Sequence, residues 1–127
     1  MGDFNDYPTD ESVSKTLGVA DRGQTDTASL YNLMYRFMKM NNNGTHKYED
    51  FWGCLDQIIV SSPLLNYASA GMHIPDGEAH IFKEDFMLVP DEKYGGIKPF
   101  RTFLGPRYIG GYSDHLPVFL ELKVENW

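Results

Sequence analysis

Only one cysteine, Cys54, stands in the chain, so an intrachain disulfide and a multi-cysteine metal site are both excluded. It lies in an apolar run with Trp52 and Leu55, where a thiol reads as packing material rather than a nucleophile. Basic residues are also few: 11 Lys and Arg against 18 Asp and Glu, a formal charge of -7, with no Lys/Arg block. The electrostatic footprint of a protein that grips nucleic acid is therefore missing from the chain as a whole. Carboxylates that hold a divalent cation count as negative in that sum, and a bound ion reverses the local sign. No apolar stretch is long enough to span a bilayer, and no basic, apolar leader opens the chain. Met1 and Gly2 begin like a myristoylation signal, but Asp6 stands where that signal needs Ser or Thr. Localisation is left open, an exported or periplasmic parent protein included.

What is present suits a folded domain. The 127 residues fit one domain, and 42% hydrophobic with 14% aromatic residues is enough for a packed core. No repeat or linker divides the chain. Asn43-Gly44-Thr45 fits a glycosylation acceptor, a pattern too short to carry weight alone.

Met1 to Phe4 reads as a short strand, and Pro8-Thr9 opens a helix to about Leu17. The strongest helical pattern puts Leu30, Leu33, Met34, Phe37 and Met38 on one face, capped by Asp26 or Thr27 and ended between Asn41 and Gly44. The pattern then changes to strands: Thr45 to Tyr48, the β-branched run Leu55 to Ser61, the alternation around Ile81, Phe82, Phe86 and Leu88, and a last strand from Leu116 to Val124. Between the last two, Asp91 to Gly111 is rich in Gly, Pro and aromatics, which predicts a long functional loop. Two helices followed by several strands make half of a layered α/β domain.

Three constellations carry chemistry. In Gly2-Asp3-Phe4-Asn5-Asp6, a carboxylate and a carboxamide two apart in a strand point to the same side. Asp3 can hold a hard cation or take a proton from water, and Asn5 can offer N–H donors to a phosphoryl oxygen. The competing reading is an Asx-turn. In Trp52-Gly53-Cys54-Leu55-Asp56-Gln57-Ile58-Ile59, Asp56 sits in an apolar strand and needs a partner: a backbone nest, a cation or a histidine. In Ser113-Asp114-His115-Leu116-Pro117, an extended chain turns Asp114 and His115 to opposite sides, a carboxylate for a metal beside an imidazole for proton transfer. A surface turn with a solvated histidine is the alternative. Gly110-Gly111 would let the backbone come close to a ligand.

With the three in this order, GDFND, WGCLDQIIVS and GGYSDHLPV, the chain resembles the endonuclease/exonuclease/phosphatase superfamily of DNase-like metal-dependent phosphoesterases, most of all a bacterial branch. The resemblance implies the C-terminal half of a four-layer α/β sandwich, a mixed sheet with helices on one face, and residues 1–127 as a single partial domain. It implies that Asp3 positions or deprotonates the attacking water, Asn5 hydrogen-bonds the scissile phosphate, Asp56 orients His115, and His115 contacts the phosphate or transfers a proton. Asp114, with Asp3, would hold Mg²⁺ or Mn²⁺. Arg101 and Arg107 are candidate phosphate contacts, with a solvated surface role as the alternative.

The family's N-terminal half supplies an early Asn and the principal metal-binding Glu, and no glutamate here sits in that motif's context. The resemblance therefore implies a full-length parent enzyme acting on a phosphorylated or phosphodiester substrate of open class, with this chain inactive or weak alone and binding its metal weakly. The partners expected are the N-terminal half of the same domain and, for the fragment, a second copy in a homodimer. A non-catalytic interaction module that keeps the fold is the alternative. A site built from His46, His73, His80 and His115 fits no zinc spacing.

Overall fold

The structure, a computed structural model, describes residues 1–25, 27–66 and 71–125. Its spine is the segment 55–61. The first part, Asp56–Gln57, pairs with Gly2–Asp3, and the second, Ile59–Ser61, pairs with Leu30–Asn32. Both pairings are antiparallel. Ile58 and Val60 enter the hydrophobic core, Gln57 is buried beside them, and Ser61 is exposed.

The helix expected to begin at Thr27 does not form. Its other expected cap, Asp26, lies outside the described residues. Leu30–Asn32 is a strand, and only Tyr35–Met38 is α-helical. Asn32 explains the break. Its side-chain oxygen accepts the backbone N–H of Met34 at 3.0 Å, an alternative to helical bonding that Asn offers readily. Its amide nitrogen donates to Gln57 Oε1 at 2.6 Å. Leu33, Met34 and Phe37 are buried as expected, but from a turn after the strand and one helical turn rather than one helix face. The earlier helix shrinks to a turn at Ser12–Thr16.

Asp91 to Gly111 is not a loop. Ile97–Pro99 pairs back on Leu88–Pro90, and Phe103–Leu104 pairs with Arg107–Tyr108 across Gly105-Pro106. The glycines and prolines that suggested a loop are hairpin punctuation. A buried ion pair ties the first hairpin down: Lys47 Nζ lies 2.8 Å from Asp91 Oδ2 and donates to the Gly95 carbonyl.

The described residues form seven two-stranded antiparallel sheets and no wider one. The mixed sheet with a helical layer on one face is thus not what they build. Short strands interrupted by turns leave no continuous edge on which to extend a sheet. The side chains pack instead into two clusters. One joins Tyr31, Leu33, Met34, Phe37, Cys54, Ile58, Val60, Ile74 and Ala79; the other joins Trp52, Met87 and Leu116. Ile81 touches both. Burial pushes the Cys54 thiol up to about 12, which keeps it protonated and inert at neutral pH, as packing material should be. Cys54 lies two residues before Asp56, and Leu116 directly after His115, so both ends of the candidate site are rooted in the core. No helix among the described residues is long and apolar enough to cross a membrane.

Candidate active site

Thr45 is the post on which the site hangs. It is fully buried. Its hydroxyl accepts the backbone N–H of Asp56 at 3.2 Å, and its carbonyl accepts the N–H of Leu116 at 2.7 Å. The strand His46–Tyr48 that follows is bridged at His46 to His115. One short stretch of backbone therefore fixes the second motif against the third.

With the backbones so placed, His115 Nδ1 and Asp56 Oδ2 lie 2.7 Å apart, both side chains partly buried. This contact answers the question of what partners a carboxylate in an apolar strand. It fixes the ring orientation and leaves Nε2 as the free nitrogen. Asp3 lies directly across the strand pair from Asp56, and ligand atoms of Asp3, Asp56 and His115 fall within 4.8 Å of one another.

Asn5 is placed differently from the strand expectation. The strand ends at Asp3, and Asn5 takes a left-handed φ of 52°, with its backbone N–H on Asp3 Oδ1 at 2.9 Å. This is the Asx-turn, and Asn5 follows Asp3 around a corner rather than along one face. A buried relay holds that corner to the spine: Gln57 Nε2 donates to the Asp6 carbonyl while Gln57 Oε1 receives Asn32.

Asp114 and His115 also depart from the extended-chain expectation. Asp114 lies in a bend, and Ser113 Oγ accepts the His115 N–H at 3.0 Å. Ligand atoms of Asp114 and His115 converge with one from His46 within 4.8 Å. His46 is the site residue that its own motif did not announce. Its ring centroid lies 4.7 Å from that of His115, tilted by 34°. In sequence it stood only within the expected strand Thr45 to Tyr48; in the structure Thr45 and Lys47 are buried and His46 faces the other way. Burial lowers the His46 pKa, and His115 and Arg101 lower it further against the opposing pull of Asp114 and Asp56. The ring is therefore neutral at neutral pH.

Of the two arginines, Arg101 is close enough to act on His46, whereas Arg107 sits exposed on the second hairpin. His73 is buried elsewhere, paired strand to strand with Lys123, and His80 pairs with Asp76 at 2.7 Å and stacks on Phe119. The four histidines do not gather. Gly111 serves packing rather than ligand approach, since any Cβ there would collide with the Phe100 and Arg101 carbonyls.

For a divalent ion, the donor set fits in kind but is short in number. Asp3 and Asp114 offer carboxylate oxygens, yet they fall in different trios, and neither trio contains a glutamate. A hard cation seeks about six oxygens.

The family model for the endonuclease/exonuclease/phosphatase family matches residues 1–124. The chain belongs to that family, whose general chemistry is metal-dependent hydrolysis of phosphoesters. No curated protein and no solved structure matches the chain.

Proposed function

We propose that the chain carries the aspartate–histidine side of a phosphoester hydrolase site and works as part of a longer enzyme. The observation that carries this reading is the Asp56–His115 pair, 2.7 Å apart beside Asp3, in a member of this family. His115, held through Nδ1, presents Nε2 to exchange a proton with the phosphoester. Asp3 positions the attacking water and is the alternative base. Water gives one proton to the base, its oxygen bonds to phosphorus, the bond to the leaving oxygen breaks, and that oxygen gains a proton. Asn5 offers its carboxamide to the charge that builds on the phosphoryl oxygens. Asp114 and Asp3 would hold Mg²⁺ or Mn²⁺, which supplies Lewis-acid polarisation of a phosphoryl oxygen when bound.

The same reading gives these residues a partner, an N-terminal half of bacterial type that adds a Glu and an Asn. A second copy of the chain is proposed as a stand-in for that half, through exposed apolar side chains such as Phe82, Phe86 and Tyr112. Sedimentation equilibrium at micromolar concentration tests it, and a clean monomer contradicts it.

The functional test is hydrolysis of bis-p-nitrophenyl phosphate with Mg²⁺, by the chain alone and with a family N-terminal half added. The expected result is little or no turnover alone and turnover on addition that His115→Ala abolishes. Robust cleavage by the chain alone contradicts the shared site. Absence of turnover from a folded, reassembled pair supports the interaction module instead.

A further inference from the structure

The trio that includes His46 differs from the one beside it in donor chemistry. His46 and His115 are bridged backbone to backbone, and their ring centroids lie 4.7 Å apart with the planes tilted by 34°. Asp114 comes round the bend to join them, so that one donor atom from each of the three lies within 4.8 Å of the others. Two of the three donors are imidazole nitrogens. Mg²⁺ asks for oxygen in near-octahedral array, whereas imidazole suits borderline ions such as Zn²⁺.

The second shell has the matching form. A metal-binding histidine usually gives its other ring nitrogen to a carboxylate, which fixes the tautomer and raises ligand basicity. Asp56 stands in that relation to His115, 2.7 Å from Nδ1. Among the described residues, the His46 ring has no hydrogen-bond partner, so no bond has to break for it to bind. An antiparallel backbone bridge sets the two histidines side by side, and the exposed Asp114 completes the set.

We infer that His46, Asp114 and His115 form a His₂Asp site that takes Zn²⁺ in preference to Mg²⁺. Three protein ligands leave a fourth position open to solvent, as in zinc sites that are not purely structural. The ligands are scattered in sequence because a tertiary bridge, not a short motif, brings them together. With Nδ1 on Asp56 and Nε2 on the ion, His115 has none left for proton transfer, so zinc binding and that use of His115 exclude each other.

The test is direct binding of Zn²⁺ to the whole chain, by competition with a chromophoric chelator in excess Mg²⁺, alongside ¹⁵N imidazole spectra. The expected result is one zinc per chain and a shift of the His46 and His115 ring nitrogens. Asp56→Asn should weaken binding by about 10–100-fold, the range for loss of a second-shell partner. His46→Asn and Asp114→Asn should each weaken it at least about tenfold, because a lost ligand costs no less than a lost outer partner. His80→Ala, at the separate Asp76 pair, should leave it unchanged. Asp114 is exposed, so its variant should fold even if another does not. Zinc affinity unaltered in Asp114→Asn, or ring nitrogens that do not shift, would overturn the site while leaving the hydrolytic reading untouched.

Discussion

Thr45 and Asp56 are joined by a hydrogen bond from the Asp56 backbone N–H to the Thr45 hydroxyl, 3.2 Å long, and Thr45 is fully buried. The bond sets the backbone from which the Asp56 carboxylate reaches His115. Thr45→Val keeps the shape and removes the acceptor. An unsatisfied buried donor costs about 1–3 kcal/mol. Urea denaturation should show a loss in that range, and the His115 ring resonances should shift as well. A variant as stable as the parent, with unshifted resonances, would mean that Thr45 does not position the pair.

Gly111 makes a second structural prediction. A methyl group there would press on the Phe100 and Arg101 carbonyls, which belong to rigid backbone. Gly111→Ala should destabilise the chain by about 1–3 kcal/mol, the usual cost of overpacking. Gly2, where an added methyl group would meet nothing within 4 Å, should tolerate the same change. Equal stability of the two variants in urea would refute the packing argument.

The Lys47–Asp91 pair predicts a pH dependence. The hydrogen bond from Lys47 holds the Asp91 carboxyl down at about 2 against the opposing effect of burial, from an ordinary value of 3.8. A depressed carboxylate contributes stability that is fully present above its unfolded pKa and lost as pH falls through the folded one. The contribution should fade between about pH 4 and about pH 2. Thermal melts of the parent and Asp91→Asn should therefore differ at neutral pH and converge in that acid window. A gap that stays constant to the acid end would show that the pair is not linked to folding.

Much of the candidate site was legible because its parts are local. Asp3, Asp56 and the Asp114-His115 step each sit in a short motif, and the unpaired carboxylate of Asp56 called for a partner on physical grounds. His46 was not legible, since its neighbour His115 arrives through a backbone bridge from a distant segment. The alternation in Thr45-His46-Lys47 shows only which side it faces. The fold was harder to read. Leu30 to Met38 has helical spacing, but Asn32 redirects the backbone through its own side chain, and periodicity carries no record of that bond. Residues 91–111 misled in the opposite direction, because glycine and proline mark hairpin turns as well as loops.

On the proposed function, Asp56 and His115 work as a unit in phosphoester hydrolysis. The decisive measurement is a double-mutant cycle with Asp56→Asn and His115→Ala, assayed on bis-p-nitrophenyl phosphate after addition of the N-terminal half. Groups that act as a unit are strongly non-additive. His115→Ala should lower kcat by about 10²–10⁴-fold, the usual contribution of a proton-transfer group. Adding Asp56→Asn to it should then cost almost nothing more. Two effects that multiply in full, or a His115→Ala variant as fast as the parent, would contradict the account.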